Sequence, residues 1–183
     1  MRGSMILSDF DLLNMIKSGR LKIEPFAEEI VRENGIDFRL ADEIAHHKEM
    51  GDNFVMDPAD ESSISNSYSL EKGVKSMIIK PHEQVLLSTH ESISMPDDIA
   101  GIVELRSTWA RHGLSMPPTI IDAGFSGTVT LEVFNNAPYK IELKPMLRFA
   151  HVIFLKTTSK VQKLYKGAYS NQNGIKLPKA IKE

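Results

Sequence analysis

The chain has 183 residues, 42% of them hydrophobic and 25% charged, which is enough for one domain with a real core and short for two. Its formal net charge of −2 speaks against a nucleic-acid binder or a membrane-surface protein, and no apolar run reaches membrane-spanning length. It has no cysteine, which removes disulfides and thiolate metal sites. No leader segment is visible, so a cytoplasmic location is expected.

"MRGS" before Met5 reads as an expression-vector remnant, because "MILSD" from Met5 reads as a natural start. Ser8 is placed to cap a helix over "DFDLLNMIKS", with Asp9 and Asp11 at its positive end and Gly19 past its last turn. Leu12, Leu13 and Ile16 supply the apolar stripe. "LKIEPF" reads as a short strand ended by Pro25. "GIDFRLADEIAHH" reads as a half-buried strand in which Ile36, Phe38 and Leu40 alternate with Asp37 and Arg39.

Residues 48–73 are polar and without periodicity, so a long loop with short strand fragments is expected. Strand-like units follow at close spacing: "KSMIIK", "EQVLLST", "IVELRS", "TVTLEVFNN", "YKIELKP" and "LRFAHVIFLK". With one leading helix they predict a mainly β fold, a compact barrel or sandwich. Residues 5–160 are expected to form this single domain, and 161–183 a flexible basic segment. From Lys156 to Glu183 there are seven lysines and one acid, a balance suited to solvent or to closing over a polyanion.

The stretch "ELRSTWARHGL", residues 104–114, admits two readings. With Ser107 capping a single turn, its side chain and that of Arg111 lie on one side, while Arg106 enters from the preceding strand. Backbone N–H groups, a hydroxyl and two guanidinium groups then converge as an anion site requires. A capped surface turn whose arginines pair with acids fits the same residues, and local physics does not choose between them. Trp109 points away from Ser107 and Arg111 on such a turn, so it reads as packing, in the core or at a subunit contact.

In "TVTLEVF", Val129, Leu131 and Val133 point one way and Thr128, Thr130, Glu132 and Phe134 the other. A part-buried carboxylate at Glu132 would have a raised pKa suited to acid–base work; a solvent-facing strand fits too. Asp122 stands in "IIDAGFSG", where Gly124 and Gly127 permit close approach of a ligand, or where the aspartate simply bonds turn amides. His46 and His47, adjacent on a strand, face opposite sides, so no metal pair is expected there.

Taken in this order, the segments resemble the deoxycytidine triphosphate (dCTP) deaminase family, within the trimeric deoxyuridine triphosphatase (dUTPase)-like superfamily. The resemblance runs from "MILSD" through "GRLKIEPF", "VRENGIDFRLADEI", "ELRSTWARHGL" and "PPTIIDAGFSGTVTLEV" to "YKGAYSNQNG", with the "PPTIIDAGF" and "LPK" of archaeal members. It implies a distorted β-barrel or jelly roll of the dUTPase-like type with a short N-terminal helix. It also implies a homotrimer with sites between subunits, and hydrolytic deamination of dCTP to dUTP and ammonia on the way to dUMP and dTTP. Magnesium would accompany the triphosphate, with no metal held by protein side chains, and dTTP is a candidate inhibitor.

Carried over by position, Arg106, Ser107 and Arg111 match residues that grip the triphosphate and help orient the reacting water and base. Thr108, Trp109 and Ala110 lie in the same binding stretch. Asp122 matches the aspartate that meets the deoxyribose. Thr130, Leu131 and Glu132 match the strand along the base, with Glu132 the catalytic carboxylate. Tyr165 and Gln172 match ligands from a C-terminal segment that folds over the nucleotide.

The chemistry implied needs a water deprotonated and added to C4 of cytosine, and a proton delivered to departing ammonia. Without cysteine, the zinc centre of most nucleobase deaminases is not available, and a shielded Glu132 is the expected proton shuttle. A nearby arginine is expected to hold Glu132 ionised. Two positions depart from the family pattern. Ala168 replaces the lysine of the usual "GKY", so another tail lysine must supply that phosphate contact or it is lost. Pro145–Met146 replaces the usual "PGM" turn. The rival activities are a dUTP pyrophosphatase or a bifunctional deaminase and dUTPase, with Asp122 positioning a water at the α-phosphate. A non-catalytic nucleotide-binding regulator and a plain β-sandwich interaction module are the remaining alternatives.

Overall fold

The computed structural model describes residues 5–181, so the reading of "MRGS" lies outside the described residues. Helix α1 (Asp9–Lys17) starts where its cap predicts. Ser8 Oγ accepts from the Asp11 amide, and an Asp11 carboxylate oxygen accepts from the Ser8 amide. Its buried residues are Leu12 and Met15, with Leu13 and Ile16 half-buried, so Met15 belongs in the apolar stripe and the expected stripe was rotated.

In chain order the strands are β1 (Lys22–Glu24), β2 (Val31–Arg32), β3 (Gly35–His47), β4 (Tyr68–Lys72), β5 (Met77–Ile79), β6 (Gln84–Thr89) and β7 (Ser92–Ser94). Then follow β8 (Ile99–Leu105), β9 (Leu114–Ser115), β10 (Thr119–Ile121), β11 (Ser126–Gly127), β12 (Thr130–Asn135), β13 (Ile141–Leu143) and β14 (Arg148–Lys156). Helix α2 (Glu61–Asn66) precedes β4, and α3 (Ser107–Arg111) follows β8.

The main sheet runs β10-β8-β14-β3-β6-β12-β9, with β2 and β4 also paired to β3; β1-β7-β11 and β5-β13 form two smaller sheets. The curl comes from β3. Its first half pairs with β14 and its second half with β6 and β4, with a register shift between Leu40 and Ile44. Such an irregularity bends the strand and increases its twist, so one long strand serves both walls of a β core. Phe38, Phe149 and Phe154 sit fully buried in that core beside Leu12, Leu21 and Ile36. The mainly β expectation holds.

Two expectations are corrected. Residues 48–73 are not only loop and strand fragments: Asp60 caps α2 by accepting from the Ser62 amide, and Ile64 pins the helix to the body. A six-residue helix with one apolar anchor carries no readable period. The other concerns Asp37, placed by alternation on the open face of β3. It is only 2% exposed, because Arg106, Arg148 and His151 close over it.

Candidate active site

The alternation along β12 builds the chemical half of the site. Leu131 and Val133 enter the core, while Thr130 and Glu132 face a cavity of about 320 Å³. Asp122, at the end of β10, stands exposed on its rim, and Tyr165 and Gln172 line it from the C-terminal segment. Leu131 is 1% exposed in the core and is not among the residues that line this space.

Burial pushes the Glu132 carboxyl above its ordinary value, against a smaller lowering by its own backbone amide. The strand expectation of a part-buried carboxylate is met. The expected arginine is not: among the described residues of the chain, no arginine contributes to the shift. Instead the neighbour is Tyr68 on the edge strand β4, whose hydroxyl is pushed up by burial and then by the Glu132 charge. A phenol held neutral beside a carboxylate is a potential hydrogen-bond donor to it. Tyr68 escaped the sequence reading because it lies in the polar stretch; it is that stretch's single tyrosine, and this was its only signal.

The C-terminal segment is seated on this pocket by backbone pairing. The Tyr165 amide donates to Ala123 O at 3.0 Å, Asn171 to Ser126 O at 2.7 Å, and the Thr128 amide to Gln172 O at 3.0 Å. Gly127, at φ 134°, makes the approach possible, since a Cβ there would stand 2.6 Å from Gln172 O. Gln172 is buried; its Nε2 donates to Thr128 O, while Oε1 has no hydrogen-bond partner among the described residues. Beyond it, Ile175 packs with Ala45 and Leu86, and the Lys176 amide donates to Thr130 Oγ1 at 3.1 Å. Lys176 thereby becomes a cation on the cavity lining, whereas Ala168 lies beside α2 in a separate depression.

The arginine corner is elsewhere on the chain. Arg106, not Ser107, is the N-cap of α3, and it caps without a side-chain bond; Ser107 is the first helical residue. The extended backbone of Arg106 is what turns β8 into the helix. Ser107, Thr108, Ala110 and Arg111 are exposed. Trp109 packs inward, with its ring 5.6 Å from that of Phe149 and Nε1 donating to Arg148 O at 2.9 Å. Arg106, Ser107 and Thr108 line a groove with Asp37, Glu104 and His151. That groove shares no lining residue with the Glu132 cavity. One chain therefore unites Asp122, Thr130, Glu132, Tyr165 and Gln172, and leaves Arg106, Ser107 and Arg111 apart from them. Among the described residues, no group of three or more His, Asp or Glu side chains converges as a metal ligand set.

Residues 6–157 match the family model described as dCTP deaminase-like. The chain is 42% identical to a dCTP deaminase of Pyrobaculum calidifontis over 178 residues, covering 97% of this chain and 98% of that protein. It is 45% identical to a dCTP deaminase of Saccharolobus solfataricus, covering 96% and 92%. Among solved structures, the 2'-deoxycytidine 5'-triphosphate deaminase of Agrobacterium tumefaciens superposes with a TM-score of 0.66 at 17% identity. It covers 85% of this chain, which spans about half of that one (49%), and the likeness is one of fold. A dUTPase of phage 80alpha superposes with a TM-score of 0.50 at 12% identity, covering 82% of this chain and 98% of that one.

Proposed function

The chain belongs to the dCTP deaminase family, and from that membership we propose that it catalyses the hydrolytic deamination of dCTP to dUTP and ammonia. The observation in the molecule that supports this reading best is Glu132, a half-buried carboxylate with a raised pKa, aimed into a cavity. Water adds across C4=N3 of cytosine, its oxygen bonding C4 while a proton reaches N3. The tetrahedral centre then collapses: the hydroxyl proton passes to the amino group, ammonia leaves, and C4=O remains. Glu132 relays both protons, a task for which a pKa nearer neutrality suits it. Tyr68 donates toward Glu132 when it is ionised. Thr130, Tyr165 and Gln172 enclose base and sugar, and Asp122 takes the deoxyribose hydroxyl.

The triphosphate needs cations, and the cavity of one chain offers only Lys176 among its lining residues. We assign Lys176 the phosphate contact vacated at Ala168. The remaining charge comes from Arg106 and Arg111 of a second subunit, with the Ser107 hydroxyl beside them, in a homotrimer with sites between subunits. This explains why the chain divides its site residues between two surfaces. Magnesium travels with the triphosphate as part of the substrate, and dTTP, with the same sugar and phosphates, is a candidate inhibitor. The expected place of work is the cytoplasm, feeding dUMP and dTTP synthesis; no helix among the described residues is long and apolar enough to cross a membrane.

Incubation with dCTP and magnesium, and separately with dUTP, tests the reading by product analysis. Ammonia and dUTP from dCTP are expected. Appearance of dUMP and pyrophosphate from dUTP would make the enzyme bifunctional, through a water at Asp122. No turnover of dCTP would sink the deaminase reading.

A further inference from the structure

We propose that Asp37 is a positioning residue whose buried carboxylate holds Arg106 so that the outer edge of the guanidinium serves the phosphates of the nucleotide. The inference rests on the proposed function of the arginine corner and deepens it. Asp37 lies on β3, with Oδ1 2.9 Å from Nδ1 of His151 and Oδ2 3.1 Å from Nε of Arg106. Arg148 approaches the same Oδ2 at 3.7 Å. A carboxylate this deeply buried is retained only when its charge is balanced, and two arginines balance it here, with the His151 ring hydrogen-bonded beside them.

The arrangement is more specific than a charge staple. Arg106 turns its inner edge to the protein, with Nε on Asp37 and Nη1 donating to Arg148 O at 3.1 Å. The rest of the guanidinium is directed to the groove that Ser107 and Thr108 line, and the side chain keeps 29% of its exposure. The planar fork permits this division: one edge is fixed by the protein while the other is presented to an anion. A lysine has no second edge. Asp37 Oδ2, although within ion-pair distance of two arginines, is buried without a hydrogen bond of good alignment. The ion pair thus leaves Arg106 directed by charge without being locked into a two-point clamp. Trp109 Nε1 donates to the same Arg148 carbonyl, so the chain's one tryptophan shares an anchor with Arg106 and can report on it.

Charge alone and positioning predict opposite signs. Removing an anion from between two arginines should tighten phosphate binding, whereas releasing Arg106 should weaken it. The experiment uses the full chain, titrated with inorganic tripolyphosphate while Trp109 fluorescence is followed, alongside dCTP kinetics. Asp37→Asn is expected to raise the tripolyphosphate dissociation constant and the KM for dCTP about tenfold, with kcat within about threefold. In an Arg106→Lys background the same change should add less than about twofold, because the group it positions is gone. Unchanged or tighter binding by Asp37→Asn would overturn the proposal, as would full additivity with Arg106→Lys. If Asp37→Asn is recovered insoluble, Asp37→Glu displaces the carboxylate without removing charge and must show the same loss. Tripolyphosphate titration needs no turnover. Failure of the wild type to deaminate dCTP would therefore end the deaminase reading while leaving Asp37 testable.

Discussion

The two halves of the candidate site are built on opposite principles. The Glu132 half is a strand face: alternation on β12 aims the carboxylate, and the chain's own C-terminal segment seats on it through paired amides. The α3 half is a corner one turn long, largely exposed, whose order comes from ion pairing beneath it at Asp37. The first half desolvates the carboxylate to which we assign the exchange of protons. The second presents the charge that we assign to a solvated triphosphate. A group whose pKa needs raising is served by burial, and a group that captures phosphate is served by exposure with a fixed orientation.

The largest effect on this division is expected at Glu132. Glu132→Gln should lower kcat for deamination by about a thousandfold while dCTP binding largely survives. Loss of binding with normal residual turnover would mean the two halves have been assigned the wrong way round. The same substitution has a stability signature. Because the folded pKa of Glu132 is raised, its ionisation costs stability as pH rises from the ordinary glutamate value through the raised one. Thermal melts should show Glu132→Gln more stable than wild type at neutral pH, with the gain vanishing in acid below the ordinary value.

If the halves belong to different subunits, Glu132→Gln and Arg111→Ala preparations, each inactive, should complement when unfolded, mixed and refolded together. Equal mixing should return about a quarter of wild-type activity, since each site draws each intact half with even odds. No recovery would place both halves of a working site on one chain. Next in size is Gly127→Ala. Its Cβ would collide with Gln172 O, so the C-terminal segment should unseat, with faster proteolysis after Lys166 and about a tenfold loss of kcat/KM. An unchanged cleavage rate would show that the seat does not depend on this approach. The smallest effect is expected for Lys176→Ala, a rise of about threefold in KM for dCTP with kcat unchanged, because one exposed cation is lost among several. A matching loss at Lys166 instead would reassign the contact vacated at Ala168.

Much of this was legible in the residues. The cap at Ser8, the strand series and the two-residue period around Glu132 are local patterns, and the chain realises them with small shifts such as Met15 in place of an expected neighbour. Tyr68 and α2 were hidden in residues 48–73 because neither has a repeat to reveal it. Tyr68 gains meaning only when β4 lies along β3 and brings it toward Glu132. Asp37 looked like an outward position because alternation describes one strand, and cannot register that a neighbouring strand and a helix cap bring arginines and a histidine over it.

By itself, then, the sequence determined which residue types stand at which strand positions, the helix cap, and the order of segments around Arg106, Asp122 and Glu132 that marks the family. Tertiary structure alone decided that Asp37 is buried, that Lys176 rather than a residue at position 168 borders the cavity, and that the groove at the arginine corner shares no lining residue with the Glu132 cavity. The physical reason is reach. Periodicity and capping act over a few residues, whereas burial, ion pairing and the seating of the C-terminal segment depend on contacts between residues as distant as Asp37 and His151, or Gly127 and Gln172.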